Sequence, residues 1–418
     1  MSGLFHYGRK IRLLQPNARL YLLNMVILGL GQGIHRLLFN FFVLSQGYSE
    51  TFLGTLISVN SLVVMLGALP AGYVSDVLGR KRAFLISTGA SILAMLGLIY
   101  WRQAGGIILM SVLLGLANSL LWVTGPPFMM ENSSEQERSY LFSFSFGLRT
   151  VATFLGNLLG GVLPTWLAIR AAFTAESTPA YATALLSVVG CYTLTLIPLL
   201  LIREQGEATR NSEQSLLAPF RFAWRNLGLL GKLLGPGLII ALGAGLLIPF
   251  RNVFYRNVYG QSDAAIGRLF ALGSLAMAVG FLIAPPLADR LGKIRLVVLT
   301  QAISIPFLLL MGFSPWFELS ALAFLVRGAL MNMSNPIYQS FLMEHVEEEA
   351  RAMTTSINSM GWNFGWMVSP QISGWLQENY GFDPVYIGTT STYVIGTFLT
   401  FWFFGRRKQQ EVKEILTK

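Results

Sequence analysis

The sequence predicts an all-α membrane protein with twelve transmembrane helices arranged as two six-helix bundles. Of its 418 residues, 53% are apolar and 12% are charged, which is about half of the charged share found in soluble domains. The mean hydropathy is +0.56. The apolar runs are continuous rather than alternating, a pattern that predicts helices instead of a barrel. Most of the surface is therefore expected to face lipid.

The division into two bundles is predicted from an internal repeat. When the chain is shifted by 213 residues, Gly47 falls on Gly260 and Asp76 falls on Asp289. The other matched positions are Glu50 with Asp263, Gly54 with Gly267, Gly79 with Gly292, Arg80 with Lys293, Arg82 with Arg295, Glu131 with Glu344, and Gly161 with Gly374. Polar residues that match between long apolar runs indicate a duplicated helical bundle. In a membrane protein, duplicated halves are typical of secondary transporters.

The apolar runs give approximate positions for the twelve helices. A helix needs about 20 residues to cross a bilayer core of roughly 30 Å. Runs of this length lie at 20–44, 51–75, 83–101, 105–130, 138–163, 180–202, 233–257, 264–288, 296–314, 316–343, 352–376 and 384–405. Many of the 42 glycines lie inside these runs, which favours helices that pack closely in lipid.

One polar stretch separates the two halves. Residues 203–232 mix acidic and basic side chains, and Arg221–Leu234 has a pattern compatible with an amphipathic helix on the membrane surface. We therefore predict an N-terminal six-helix bundle at 1–202 and a cytoplasmic linker at 203–232. The C-terminal bundle and its cytoplasmic tail are predicted at 233–418.

The basic residues predict the orientation in the membrane. The chain carries 30 lysines and arginines and a formal net charge of +10. With the N-terminus placed in the cytoplasm, 22 of these 30 residues fall in the tails and loops of that side. This asymmetry follows the positive-inside rule and predicts that both termini lie in the cytoplasm, with the protein in the inner membrane. It also argues against nucleic-acid binding, because no soluble element carries a basic face.

Several function classes lack support in the sequence. No cleavable signal peptide is apparent before the first apolar run, and the single cysteine, Cys191, lies inside a predicted helix. The loops contain no phosphate-binding loop and no nucleophile with a matching base and orienting group. We therefore predict no enzyme activity, no cofactor and no metal site.

Two cytoplasmic loops carry related charged motifs. The first reads GYVSDVLGRKR at 72–82, and the second reads ADRLGKIR at 288–295. These loops resemble the signature loop of the major facilitator superfamily, which follows the second and the eighth helix. The resemblance covers essentially the whole chain. It implies two six-helix bundles related by a pseudo-two-fold axis along the membrane normal.

The resemblance also implies a gating role for these loops. In the family, the carboxylate of the motif latches the two halves on the cytoplasmic side, and a carboxylate is attracted to the N-terminus of a helix. The implied gating residues are Asp76, Gly79, Arg80, Arg82, Asp289, Gly292, Lys293 and Arg295. The alternative is that these charges only set the topology and cap helices.

The fifth predicted helix carries another pattern similar to the family. Gly147, Gly156, Gly160 and Gly161 resemble the glycines of an antiporter motif, although Gly161 stands where the family has proline. The pattern is consistent with exchange transport. Close packing of helices through small residues explains it equally well.

Embedded charges indicate the class of substrate. Arg36, Arg149, Arg251 and Arg327 lie near the middle of predicted helices, whereas no acidic residue does. A charge at membrane depth is costly and is normally functional or paired. Guanidinium groups bind carboxylate or phosphate bidentately and stay protonated when desolvated. The arginines therefore predict an anionic substrate, with a structural hydrogen-bond network and a proton relay as alternatives.

Polar and aromatic neighbours complete the predicted substrate site. Asn40 and Tyr338 lie at helical spacing from arginines, and His35 is a candidate for titration near physiological pH or for packing. Trp122 offers either an apolar wall for a substrate or a contact between helices. The residues predicted to bind substrate are Arg36, Arg149, Arg251, Arg327, His35, Asn40, Trp122, Asn335, Tyr338 and Asn363.

These observations predict a secondary active transporter that works by alternating access. We expect it to move an organic anion or anionic amphiphile by proton coupling or exchange. The expected partners are this small molecule, the lipid bilayer and protons, and the protein is expected to be a monomer. The alternatives are a proton-coupled multidrug exporter, a facilitator of neutral solutes, and a non-transporting membrane sensor or lipid scramblase.

Overall fold

The computed structural model describes residues 14–174, 176–203, 227–346 and 351–405, which are almost entirely helical and contain no strand. The first six helices are α1 (Pro16–Ser45), α2 (Glu50–Leu78), α3 (Arg80–Tyr100), α4 (Ala104–Glu131), α5 (Glu135–Ala171) and α6 (Thr178–Leu201). The remaining helices are α7 (Leu227–Leu247), α8 (Arg251–Tyr259), α9 (Asp263–Leu291), α10 (Lys293–Phe313), α11 (Phe317–Glu344), α12 (Arg351–Tyr380) and α13 (Asp383–Thr400). The predicted all-α class is confirmed.

The seventh predicted helix is interrupted. The sequence predicts one helix at 233–257, whereas the structure has α7, a 3₁₀ turn at Ile248–Phe250, and then α8. Pro249 lies in this turn, and proline cannot donate the backbone hydrogen bond that a continuous helix requires. The break places Arg251 at the first position of α8.

Nine helical segments in the described ranges are long and apolar enough to cross a membrane, with α7 and α8 counted as one segment. The last three helices, α11 to α13, are not among these nine segments. They carry polar residues inside their apolar runs, for example Asn332, Asn335 and Asn363. For these three helices, transmembrane placement stays a prediction.

Most of the polar linker falls outside the described residues. Residues 204–226 lie outside the described ranges, and they include 221–226, the first six residues of the amphipathic helix predicted at Arg221–Leu234. The described chain resumes at Leu227, where α7 begins.

The internal repeat is visible in the backbone conformation. Gly79 and Gly292 each separate two helices and have φ angles of 86° and 85°. Gly47 and Gly260 also match in the repeat, with φ angles of 87° and 63°. A residue with a side chain in this left-handed region costs roughly 1–2 kcal/mol. Glycine therefore makes the same turn in each half of the chain.

Helix contacts divide the chain into two units. The first unit contains the described residues of Met1–Tyr48, Leu62–Glu213 and Ser262–Ala271. The second unit contains those of Ser49–Ser61, Gln214–Gln261 and Leu272–Lys418. The beginning of α2 thus packs with the later helices, and the beginning of α9 packs with the earlier ones.

In the first unit, α1 packs against α5 and α6. A Cβ atom added to Gly33 would lie 2.8 Å from the Cα atom of Gly156, and one added to Gly29 would lie 2.6 Å from the carbonyl oxygen of Arg149. The two backbones therefore touch, as expected for helices with small residues at their interface. These contacts support the packing interpretation of the glycines in α5.

In the second unit, α7 packs against α12 and α13, and α10 packs against α11. A Cβ atom added to Gly365 on α12 would lie 2.9 Å from the Cβ atom of Ala241 on α7. Thr389 on α13 donates a hydrogen bond of 3.1 Å to the carbonyl oxygen of Gly243. These contacts fix α7 and α13 beside the helix that carries Trp362.

The beginning of α9 in the first unit and the beginning of α2 in the second unit make equivalent contacts. In the first unit, a Cβ atom on Gly161 would lie 2.7 Å from the carbonyl oxygen of Asp263. In the second unit, Gly374 approaches the carbonyl oxygen of Glu50 in the same way. The repeat relates the pair Gly161 and Asp263 to the pair Gly374 and Glu50. The duplicated glycines therefore allow the beginning of α9 to pack closely on α5 and the beginning of α2 to pack closely on α12.

Candidate functional site

Arg327 on α11 is the most deeply buried of the predicted site arginines. Only 3% of its surface is exposed. Its Nε and Nη2 atoms are buried and have no hydrogen-bond partner in the described part of the chain. Its Cζ atom lies 5.1 Å from the ring centroid of Tyr393 on α13. A cation–π contact of this kind contributes roughly 0.5–2 kcal/mol.

Arg251 lies in the same unit as Arg327. Its Cζ atom is 5.1 Å from the ring centroid of Phe324, and its Nε atom donates a weak hydrogen bond of 3.4 Å to the carbonyl oxygen of Ile248. The 3₁₀ turn before α8 therefore orients this side chain.

Two buried tyrosines connect Arg251 and Arg327. Tyr255 and Tyr386 each lie within electrostatic range of both guanidinium groups. The hydroxyl group of Tyr255 donates a hydrogen bond of 3.4 Å to the carbonyl oxygen of Ser320. The hydroxyl oxygen of Tyr386 is buried without a partner in the described ranges. The basic aromatic cluster defined by these contacts consists of Arg251, Arg327, Tyr255, Tyr386, Tyr393 and Phe324.

The electrostatics of Arg327 favour an anion. Burial of one ion costs several kcal/mol even after the protein relaxes, by order-of-magnitude reasoning. The cation–π contact offsets only part of that cost. A carboxylate or phosphate group could accept hydrogen bonds from both unpartnered N–H groups, because the planar guanidinium presents them as a fork.

Arg149 forms a second basic site in the first unit. Its Cζ atom lies 4.5 Å from the ring centroid of Trp122 and 5.5 Å from that of Phe146. The phenol of Tyr21 lies beside Ser145 and interacts electrostatically with Arg149. The structure therefore brings together two predicted site residues, Arg149 and Trp122. Trp122 is 40% exposed, and Arg149 is half-buried, so this site is more open than the basic aromatic cluster.

Among the described contacts, neither group includes the predicted residues of α1. The imidazole of His35 stacks on the ring of Phe39 at a centroid distance of 4.9 Å, and its Nε2 atom is buried without a partner in the described chain. Arg36 is exposed, and Asn40 is buried. The stacking supports the packing interpretation of His35.

Asn335 and Tyr338 line a cavity of about 200 Å³ in the second unit, together with Trp362. The hydroxyl group of Tyr338 donates a hydrogen bond of 2.5 Å to the carbonyl oxygen of Leu233. Asn363 does not line this cavity, and its amide donates to the carbonyl oxygen of Ser359 within the same helix at 2.9 Å. The predicted polar residues of α11 and α12 thus have different environments.

The first charged loop forms a compact set of ion pairs. The Nη1 atom of Arg80 lies 2.5 Å from Asp76 Oδ1, and its Nε atom lies 3.0 Å from Glu131 Oε1. Arg80 also donates a hydrogen bond of 2.8 Å to Ser75. Gly79 makes the turn that positions Arg80. Sequence reasoning did not identify Glu131 as a partner, although the repeat marks its position.

The second charged loop repeats only part of this arrangement. Lys293 forms an ion pair with Glu344 and donates a hydrogen bond of 2.9 Å to Ser340. The hydrogen bond from Lys293 lowers the pKa of Glu344 below its usual value. Asp289 is exposed and makes no ion pair within the described ranges.

The remaining predicted gating residues are Arg82, Arg295 and Gly292. Both arginines are exposed. Gly292 makes the turn before α10.

Comparison with known families identifies the fold. The family model of the Major Facilitator Superfamily matches residues 21–248 and 233–417. The chain belongs to the major facilitator superfamily. The resemblance of its loop motifs is therefore confirmed, and this member of the superfamily is a multi-pass membrane transporter of small molecules, not an enzyme.

Curated relatives of this superfamily member include bacterial transporters. Multidrug resistance protein MdtG of Dickeya zeae is 26% identical over 369 residues, which cover 85% of each chain. The MFS-type transporter YcaD of Shigella flexneri is 24% identical over 335 residues, which cover 77% of this chain and 79% of YcaD.

Solved structures of the superfamily share the fold. The nucleoside transporter NupG has a TM-score of 0.69 at 14% identity, covering 93% of this chain and 99% of NupG. The human organic anion transporter MFSD10 has a TM-score of 0.60 at 17% identity, covering 92% of this chain and 99% of MFSD10. At these identities, the likeness establishes the architecture only.

The residues predicted to bind substrate do not include the tyrosines that surround the arginines of this transporter. Tyr255 lies one helical turn after Arg251, a spacing that places both on one face of α8 and that was visible in the sequence. Tyr386 and Tyr393 lie on α13, far from Arg327 along the chain. Their proximity arises from tertiary packing, for which the sequence carries no local signal.

Proposed function

We propose that this transporter works by alternating access as a secondary active carrier of an organic anion or anionic amphiphile, coupled to protons or to counter-exchange. It acts as a monomer in the cytoplasmic (inner) membrane with both termini in the cytoplasm. Its functional halves are residues 1–202 and 233–418, joined by the linker at 203–232.

The burial of Arg327 is the observation that carries this proposal. Its two unpartnered N–H groups lie beside aromatic rings, and Arg251 shares the neighbours Tyr255 and Tyr386. A second cation within the same cluster raises the electrostatic cost of the ligand-free state. A bound anion lowers that cost and supplies the missing acceptors.

The charged loops support the gating part of the proposal. We propose that Asp76, held by Arg80, forms the cytoplasmic latch of the first half. The ion pair of Arg80 with Glu131 restrains the guanidinium between two helix ends. In the second half, Lys293 and Glu344 make the corresponding contact, while Asp289 contributes less because it lacks the corresponding ion pair in the described ranges.

A proton-coupled multidrug exporter is the second candidate. The similarity to MdtG, whose name assigns it to multidrug resistance, favours this function. The aromatic rings of the basic aromatic cluster would also suit an apolar drug body. However, Arg251 and Arg327 disfavour a cationic drug at that cluster through like-charge repulsion. The sign of the ligand's charge therefore separates the two candidates.

Thermal-shift measurements with three matched ligands test the proposal. Phenyl phosphate, phenyltrimethylammonium and phenyl glucoside share one aromatic ring and differ in charge. We expect phenyl phosphate to raise the melting temperature most, because only an anion satisfies Arg327. The shift should disappear in Arg327→Gln. It should persist in Arg268→Gln, a matched control at an exposed arginine.

Uptake into proteoliposomes completes the test. The anion that stabilises the protein should also be transported, and Arg327→Gln should abolish its uptake. Stabilisation by phenyltrimethylammonium that survives Arg327→Gln would instead favour the multidrug exporter. Stabilisation by phenyl glucoside alone would favour a neutral-solute facilitator. Absence of uptake for every anion would favour a non-transporting sensor or a lipid scramblase.

A further inference from the structure

The cavity of about 200 Å³ lies wholly within the second unit, among α7, α10, α11, α12 and α13. None of its lining residues is charged, which distinguishes it from the basic aromatic cluster. Four carboxamide side chains line it instead, contributed by three different helices. These are Gln301, Asn335, Gln339 and Asn358.

Most of the hydrogen-bonding capacity of these amides is unused. Asn358 and Gln339 make no hydrogen bond to any described residue. Asn335 makes only a weak bond of 3.5 Å to Asn332. Gln301 accepts a bond of 3.5 Å from Thr397, which leaves its amide nitrogen available. Each carboxamide offers both donors and an acceptor, so the cavity can bind a group that presents both.

The remaining walls of the cavity favour a flat ligand. The rings of Tyr338 and Trp362 line it beside the thioether of Met331. The hydrogen bond from Tyr338 to Leu233 anchors the phenol, so its ring is held in place. Aromatic faces stack on planar groups, while carboxamides bind the edges of heterocycles bidentately.

The cavity lies close to Arg327 along α11. Met331 is one turn beyond Arg327 and Asn335 is two turns beyond it. At a rise of 1.5 Å per residue, this places Asn335 about 12 Å from Arg327 along the helix axis. A single elongated ligand could therefore reach both places.

We propose that this cavity is a subsite for an uncharged planar group that donates and accepts hydrogen bonds, such as an amino-substituted heterocycle. The subsite narrows the substrate class of the proposed function. It rests on that function because Arg327 is proposed to bind the anionic part of the same substrate. Its volume is below the roughly 300–1,000 Å³ of sites that hold a whole drug-sized ligand. The substrate class is thus an anion that carries a hydrogen-bonding ring.

Calorimetric binding to purified protein tests the subsite with three probes. Adenine carries the planar hydrogen-bonding group alone, phenyl phosphate carries an anion on a ring without such groups, and adenosine monophosphate carries both. We expect Asn358→Leu to weaken adenine and adenosine monophosphate by at least about fivefold, since a bidentate contact to a base is lost. Phenyl phosphate should change by less than about twofold, as expected for a separate site.

Two further variants keep the test decisive. Gln339→Leu should act like Asn358→Leu, and because Gln339 is exposed, its replacement spares the buried core. Asn379→Leu, on the same helix as Asn358 but outside the cavity, should bind all three probes like the original protein. All variants are compared at equal folded fraction, measured by size-exclusion chromatography.

The outcomes separate the subsite from the proposed function. If both cavity variants bind adenine and adenosine monophosphate as tightly as the original protein, the subsite is excluded, and the anion site is untouched. If Arg327→Gln leaves phenyl phosphate binding unchanged while the cavity variants still weaken adenine binding, the proposed anion site is excluded and the cavity subsite is supported. The proposal requires that Arg327→Gln weakens the binding of phenyl phosphate and of adenosine monophosphate and leaves the binding of adenine unchanged.

Discussion

The two repeats agree in their loop contacts. Arg80 and Lys293 stand at equivalent positions, and each binds the glutamate that ends the next helix, Glu131 or Glu344. The turns that position them use equivalent glycines with nearly equal φ angles. Contacts present in both halves are those that the duplicated fold needs.

The embedded charges of the two halves differ. The repeat pairs Arg327 with Leu114, a buried apolar residue, and pairs Arg149 with Trp362. Arg149 stacks on a partly exposed tryptophan, whereas Arg327 is buried and short of acceptors. A charge that has no counterpart is not required by the duplicated scaffold. This difference fits the proposal that the arginines bind an asymmetric ligand.

The largest expected effect concerns the shared scaffold. Gly156→Val should abolish recovery of folded protein, because the new side chain would overlap the backbone of Leu30 and Gly33 on α1. Gly147→Val on the same helix is the control, since nothing lies within 4 Å of its Cβ position. Fluorescence-detected size-exclusion chromatography measures the yield. Equal yields for the two variants would contradict the close packing of α1 and α5.

The next effect compares the two basic sites. Arg327→Gln should weaken binding of the transported anion by at least about 30-fold, as expected when a buried charged contact is lost. Arg149→Gln should weaken it by only about two- to fivefold, because its partly exposed environment screens the charge. Calorimetry measures both affinities. A larger effect at Arg149 would move the principal anion site to the first unit.

The charged loops should affect rates more than affinity. Asp76→Asn removes an ion pair with Arg80 and should slow turnover by about fivefold, the upper range for an exposed pair. Asp289→Asn should change turnover by less than about twofold, since Asp289 makes no ion pair in the described ranges. Uptake and binding are measured in parallel. A lost binding signal with normal turnover would contradict the latch.

The smallest effect is a pH dependence at Glu344. Lys293 lowers its pKa, so the ion pair stabilises the folded state at neutral pH and is lost as the pH falls through the lowered pKa. The melting temperature of Glu344→Gln should therefore be lower at neutral pH and converge with that of the original protein in acid. In the background of Lys293→Met, the same substitution should have no pH-dependent effect. Curves that stay parallel at every pH would exclude the pair's contribution.

Helix positions could be predicted because their signals are local. Continuous apolar runs and the glycines between them predict the ends of eleven helices to within eight residues. The break at Pro249 was missed, although a proline inside a helical run marks a probable kink. The sequence gives no sign, other than the repeated glycines, that the beginning of α2 belongs to the second unit and the beginning of α9 to the first.

The arginines of the candidate site could be selected from the sequence because a charge inside an apolar run is conspicuous. Their surroundings could not, since Tyr386 and Tyr393 reach Arg327 only after α13 packs into the second unit. The cavity amides were equally hidden, because Gln301 and Asn358 come from helices distant in the sequence. Asn335 and Tyr338 were included in the predicted site because they share a helix with Arg327.

The melting temperature of Arg327→Met, with and without phenyl phosphate, tests the central claim most directly. An unsatisfied buried charge destabilises the ligand-free protein, so an apolar residue of similar length should raise its melting temperature and abolish stabilisation by the anion. If Arg327 instead serves a structural network, the same substitution should lower the melting temperature by several degrees and leave the anion-induced shift intact. That second result would contradict anion binding at Arg327.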